Sequence, residues 1–140
     1  MMRAFGTDEA EHLMRTMFAP WVGELNLKAV AFDEGGGTFL LPANPRIVHG
    51  GGVICGQATV SAADTVAVMA LSALNGRFRM CTTVDLTTHF VRPLKPGDVD
   101  IRVDIISNGK RMAYVRIEMR ASGDNRIAVT ASGAFAYMED

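Results

Sequence analysis

From Gly56 to Leu74 the chain runs in Ala, Val, Met and Leu with almost no polar interruption, and Asn75-Gly76 closes the run as a helix C-cap signal. A helix apolar on nearly all sides must be enclosed, because any exposed face leaves apolar area in water at roughly 25 cal/mol per Å². The stretch from Val53 to Leu74 has about the length of a membrane span. It contains Gln57, Asp64 and many Ala and Ser residues, and no basic flank precedes it, so it reads as a buried helix of a soluble protein. Other elements must therefore wrap it.

The second half of the chain supplies the wrapper. Thr82, Val84, Leu86, Thr88 and Phe90 alternate with Cys81, Thr83, Asp85, Thr87 and His89, which predicts a strand with the first set on one face. Val99 to Ile105, Ala113 to Met119 and Ile127 to Phe135 show the same period of two. These strands read as antiparallel neighbours, with Pro93 to Asp98 between the first two, a two-residue type I′ turn at Asn108-Gly109 and a further turn at Gly123-Asp124-Asn125. Upstream, Leu25 to Phe32 and Thr38 to Leu41 flank Asp33-Glu34-Gly35-Gly36-Gly37 and read as a hairpin. Residues 1–21 read as a lead-in, with Thr7 as N-cap, Asp8 and Glu9 in the first turn, and Leu13, Met14, Met17 and Phe18 at helical spacing until Pro20. At 140 residues, 49% hydrophobic and 21% charged, the chain suits one domain with a sizeable core and is too short for two ordinary ones. The predicted class is α+β: residues 1–140 as a single domain, an antiparallel β-sheet curled round one long central helix.

A net charge of −1 lacks the basic footprint of a nucleic-acid or anionic-membrane binder. Neither partner is expected. Cys55 and Cys81 form no CxxC pair or disulfide framework, and no apolar run near the N-terminus matches a signal peptide core, so a cytoplasmic location is the expectation. The glycines of 35–37 and 50–56 lack the Gly-Lys-Ser/Thr of a phosphate loop.

Asp64 is the most informative position, since a carboxylate within an apolar helix is costly unless solvated or paired. A structural, hydrogen-bonded acid and a catalytic one both fit its place. Gly56 opens the helix after a glycine-rich loop, so the N–H groups around Gly56, Gln57 and Ala58 form either an oxyanion site or an ordinary glycine start. Cys55 at the helix start is a candidate nucleophile. His49 is a candidate ligand donor or base, whereas His12 and His89 read as surface or packing residues. The nine methionines read mostly as core filler.

The glycine-rich loop, the small-residue helix with its internal acid, Thr83-Val84-Asp85-Leu86-Thr87-Thr88-His89-Phe90-Val91-Arg92-Pro93 and Gly97-Asp98 together resemble the hotdog-fold acyl-CoA thioesterases of the phenylacetate-degradation (PaaI-type) family. The resemblance runs from about residue 22 to the end and is strongest from Gly51 to Asp64. It implies that Asp64 is general base or nucleophile, that the Gly56 N–H polarises the thioester carbonyl, and that the Thr83 hydroxyl orients the acid. It also implies that Gly52, Cys55 and Gln57 lie at the substrate. Arg92 and Arg111, with Lys95 and Lys110, are candidates for the phosphates of coenzyme A. One departure stands out. The better-known branch has a histidine nine residues before the acid, but here Asp64 follows His49 by fifteen and Cys55 takes the matching place. That register sets His49 near a polar, water-holding position of relatives.

Asp64 lies eight residues after Gly56, hence about 12 Å along a helix axis, too far for both to meet one carbonyl. Two chains with antiparallel central helices could place Gly56 of one against Asp64 of the other, which predicts a homodimer, with a dimer of dimers also open. Cys81 to Val91 is the expected edge across the two-fold. The implied reaction is hydrolysis of an acyl-CoA thioester without metal or separate cofactor, coenzyme A being part of the substrate. An acyl-thioester dehydratase or hydratase of the same fold and a non-catalytic acyl-CoA sensor are the alternatives. The Pro-Gly-x-Pro style loop of the former is missing from this sequence.

Overall fold

The computed structural model describes residues 5–138; residues 1–4 of the expected lead-in and residues 139–140 lie outside it. Its centre is helix α3 (Gly56–Asn75), which starts and stops where the glycines on either side place it. Gly76 takes φ 80° as C-cap, a left-handed conformation that glycine adopts without Cβ strain, and its N–H bonds to the Ala73 carbonyl. By length and mean hydropathy α3 could cross a membrane. It instead contacts all six strands of one sheet, and Ala62, Ala63, Val66, Ala67, Met69 and Leu71 are fully enclosed.

That sheet comprises β1 (Lys28–Asp33), β2 (Gly36–Leu41), β3 (Cys81–Phe90), β4 (Val99–Asn108), β5 (Met112–Ala121) and β6 (Val129–Tyr137). All pairings are antiparallel, and the order is β1-β2-β4-β5-β6-β3. The alternation in β4, β5 and β6 sends Val99, Ile101 and Val103, then Ala113 to Met119 at every second residue, then Val129, Ala131 and Phe135 into the core beneath α3.

Several local expectations are corrected. β3 does not neighbour β4; it pairs with β6 at the sheet edge, so Pro93 to Asp98 is a crossover rather than a hairpin. The period-two reading of β3 holds only from Leu86 onward. A bulge at Val84 breaks the register between Thr83 and Asp85, so Cys81 and Thr83 sit opposite the inward Tyr137 and Phe135, while Leu86, Thr88 and Phe90 sit opposite Gly133, Ala131 and Val129. Thr82 and Val84 thus leave the face they were predicted to share.

With a second bulge at Ile106 in β4, the turn falls two residues later than predicted, at Lys110-Arg111. The Gly109 N–H bonds the Met112 carbonyl around Lys110-Arg111, and neither Asn108 nor Gly109 takes a positive φ. Asn108 instead joins a closed ring of side-chain bonds with Asn75 and Tyr137, which fastens the end of α3 to β4 and β6.

At the N-terminus, α1 (Thr7–Thr16) is capped by the extended Gly6, with Thr7 already helical. A short helix not anticipated, α2 (Pro20–Gly23), follows with Pro20 at its first position, where the missing N–H would have had no helical partner. β1 begins at Lys28 rather than Leu25, because Asn26 turns the chain at φ 58° after buried Leu25.

Candidate active site

Asp64 belongs to the one stripe of α3 that the sheet leaves uncovered. Gln57, Val60, Ser61 and Asp64 recur at helical spacing and are exposed or half-buried, while the residues between them are mostly buried. The Val84 bulge turns Thr83 toward this stripe, and its hydroxyl donates to Asp64 Oδ1 at 2.6 Å. Among the described residues Asp64 has no other hydrogen-bond or ion-pair partner. The acid is therefore held by a neutral donor at one oxygen, and the second oxygen remains available to accept a proton or attack a carbonyl.

The pair opens into a cavity of about 660 Å³. Its walls are mostly apolar: Val60 of α3, Leu86 and Phe90 of β3, Phe18 from the link between α1 and α2, and Trp21 and Val22 of α2. Gly56 and Gln57 reach the same cavity at the N-terminus of α3. Ala58, expected to present a free N–H, donates to the Cys55 carbonyl at 3.2 Å, which leaves the N–H groups of Gly56 and Gln57 without a partner among the described residues. These two donors carry the positive end of the helix dipole. Phe90 lies so close to Gly56 that a Cβ there would stand 3.2 Å from its ring. Gly56 and Phe90 also line a second cavity of about 350 Å³, together with Val53, Ile54, Thr59, Arg92 and Leu94.

His49 sits on the loop before α3, which is tied by a Val48 to Ile54 bridge, by the His49 N–H on the Val53 carbonyl and by the Gly52 N–H on the His49 carbonyl. Its Nδ1 accepts the Gly51 N–H at 2.8 Å, so the neutral ring carries its proton on Nε2 and can act there as a donor. Gly52, at φ 86°, makes the turn that this geometry needs. Neither His49 nor Cys55 lines the Asp64 cavity. Cys55 serves as the extended N-cap of α3, its N–H on the Ile47 carbonyl.

Arg92 lines the second cavity and donates from Nε to the Ile127 carbonyl at 3.0 Å. Arg111 lies elsewhere, in the β4–β5 turn beside the C-terminal end of α3, so one chain does not gather it with Arg92 and Gly56. Among the described residues no group of three or more His, Cys, Asp or Glu side chains is arranged to hold a metal ion. The cavity walls from α2 and the link before it were absent from the sequence reading; the one signal for them was the apolar Phe18 and Trp21 on either side of a proline.

Residues 47–128 match the family model described as "Thioesterase superfamily". A curated Saccharolobus solfataricus protein named "Putative esterase" is 27% identical over 96 residues, which cover 69% of this chain and 63% of that protein's length. Thioesterase HI1161 of Haemophilus influenzae superposes with a TM-score of 0.84 at 21% identity, covering 96% of this chain and 92% of its own. The E. coli PaaI protein from the phenylacetic acid degradation operon superposes at 0.78 and 16% identity, covering 95% and 96%. These structural likenesses bear on the fold.

Proposed function

This chain belongs to the thioesterase superfamily and has its hotdog fold, and from that premise we propose that it hydrolyses acyl-CoA thioesters to the free acid and coenzyme A. The observation that carries the reading is the Thr83 hydroxyl bond to Asp64 at the mouth of an apolar cavity. With one oxygen held by Thr83, the other takes a proton from water as the water oxygen bonds to the thioester carbon. The carbonyl oxygen gains charge, which an unpartnered helix N-terminal N–H stabilises. The C–S bond then breaks, and the proton passes to the leaving sulfur, giving acid and thiol. Direct attack by Asp64 would give the same products through a mixed anhydride that water opens.

The roughly 12 Å between Gly56 and Asp64 along α3 supports an arrangement in which each site takes Asp64 and Thr83 from one protomer and Gly56 from its partner. The edge position of β3 gives the second copy a place to pair. His49, on the loop that leads into Gly56, would enter the same site from the partner as an Nε2–H donor.

Released thiol, measured over short-chain, medium-chain and aromatic acyl-CoA esters for the wild type and Asp64→Asn, tests the proposal. A fall in kcat of at least about 100-fold is expected, with ester binding retained. Turnover that survives in Asp64→Asn would overturn the assignment, and binding without any wild-type turnover would leave an acyl-CoA sensor.

A further inference from the structure

The walls of the Asp64 cavity carry information about its occupant. Trp21 and Phe90 both line it and both remain more than half exposed, at 59% and 56%. Two large aromatic surfaces turned to one cavity, at whose head stands an acid held for chemistry, are matched to an apolar group that covers them. Among the described residues of the lining, Asp64 supplies the single ionisable side chain. A carboxylate at the far end of an acyl group would meet no cation there and would share the cavity with the Asp64 charge.

Trp21 is also fixed in place. Pro20 sets the start of α2, and Gly23 brings its end against the Arg15 backbone, where a Cβ would lie 2.9 Å from the carbonyl oxygen. The indole therefore projects from a segment clamped onto α1, outside residues 47–128 that match the superfamily model. We propose that Trp21 is the residue by which this chain selects its acyl group, and that the group selected is uncharged and apolar. This rests on the thioesterase reading of the same site and deepens it.

Trp21 is the sole tryptophan of the chain, so the native protein reports on itself. Titration with S-octyl-CoA, a thioether that cannot be hydrolysed, is expected to change tryptophan emission saturably. Coenzyme A alone and an S-carboxyalkyl-CoA of similar length are expected to change it little. Equal changes with all three, or calorimetric binding of S-octyl-CoA with unaltered emission, would overturn the proposal. So would an emission shift on dilution without ligand, which would mean that a second copy covers the indole.

Trp21→Ala provides the kinetic counterpart: the ratio of kcat/KM for octanoyl-CoA over acetyl-CoA should fall about tenfold, and an equal fall for both esters would refute selection by Trp21. Should the wild type hydrolyse no ester of the short-chain, medium-chain and aromatic panel, the thioesterase reading fails, yet the emission titration still decides the assignment of Trp21.

Discussion

A proline at position 56 would separate two properties that Gly56 combines. Gly56 is the first residue of α3, where proline is favoured because the N–H lacks a helical acceptor. Cys55 before it is already extended, at φ −70° and ψ 147°, as a residue preceding proline must be. Gly56→Pro therefore deletes the candidate oxyanion donor while leaving the helix its start. Its added Cβ presses on Phe90, but that ring is 56% exposed and can shift. Gly56→Ala adds the same Cβ and keeps the N–H. The expected result is a loss in kcat of about 10² to 10³ for the proline variant and a much smaller loss for alanine, with similar melting temperatures. Equal losses would assign the effect to Phe90 and remove the N–H from the mechanism. Thr83 admits a parallel comparison: Thr83→Val should lower kcat about ten- to a hundredfold through loss of one hydrogen bond to a charged group, and Thr83→Ser should recover most of it.

At the level of elements, Arg102 ties three strands together on the outer face of the sheet. From β4 its guanidinium grips Asp33 at the end of β1 through both carboxylate oxygens, at 2.8 and 3.0 Å, and reaches Thr38 of β2 and Asp104 of its own strand. The hydrogen bonds from Arg102 hold the Asp33 carboxyl at about 2, against an ordinary 3.8. A depressed value of this kind stabilises the fold above the ordinary value and loses its contribution as pH falls from 3.8 through about 2. Asp33→Asn should therefore melt below the wild type at neutral pH, and the gap should close across that acid interval. A gap independent of pH would show that the pairing does not carry the difference.

This same scale shows what a linear reading can reach. The bounds of α3 were legible because both are written locally, in Gly56 and in Asn75-Gly76. The core rows of β4 to β6 were legible because alternation is local too. The neighbour of β3 and its Val84 bulge were not, since both depend on β6, about fifty residues away at the bulge. The bulge decides whether Thr83 faces Asp64, so the Asp64–Thr83 pair came from family resemblance rather than from periodicity. Trp21 stayed hidden for a related reason: α2 is four residues long, too short to show a repeat.

For the whole molecule the decisive question is whether one protomer completes a site. If Asp64 comes from one chain and Gly56 from its partner, the two inactivating changes can complement each other. In a dimer of one Asp64→Asn chain and one Gly56→Pro chain, one site receives both defects, and the other receives intact Asp64 and intact Gly56. Random reassociation makes half the dimers mixed, and each mixed dimer has one working site of two, so a mixture of the two inactive proteins should recover about one quarter of wild-type activity. Recovery should appear only after subunits exchange, following dilution or mild denaturation and refolding together. A site completed within one chain predicts no recovery, because every site would then carry one defect. Thiol release from the refolded mixture, beside each variant refolded alone, separates the two cases.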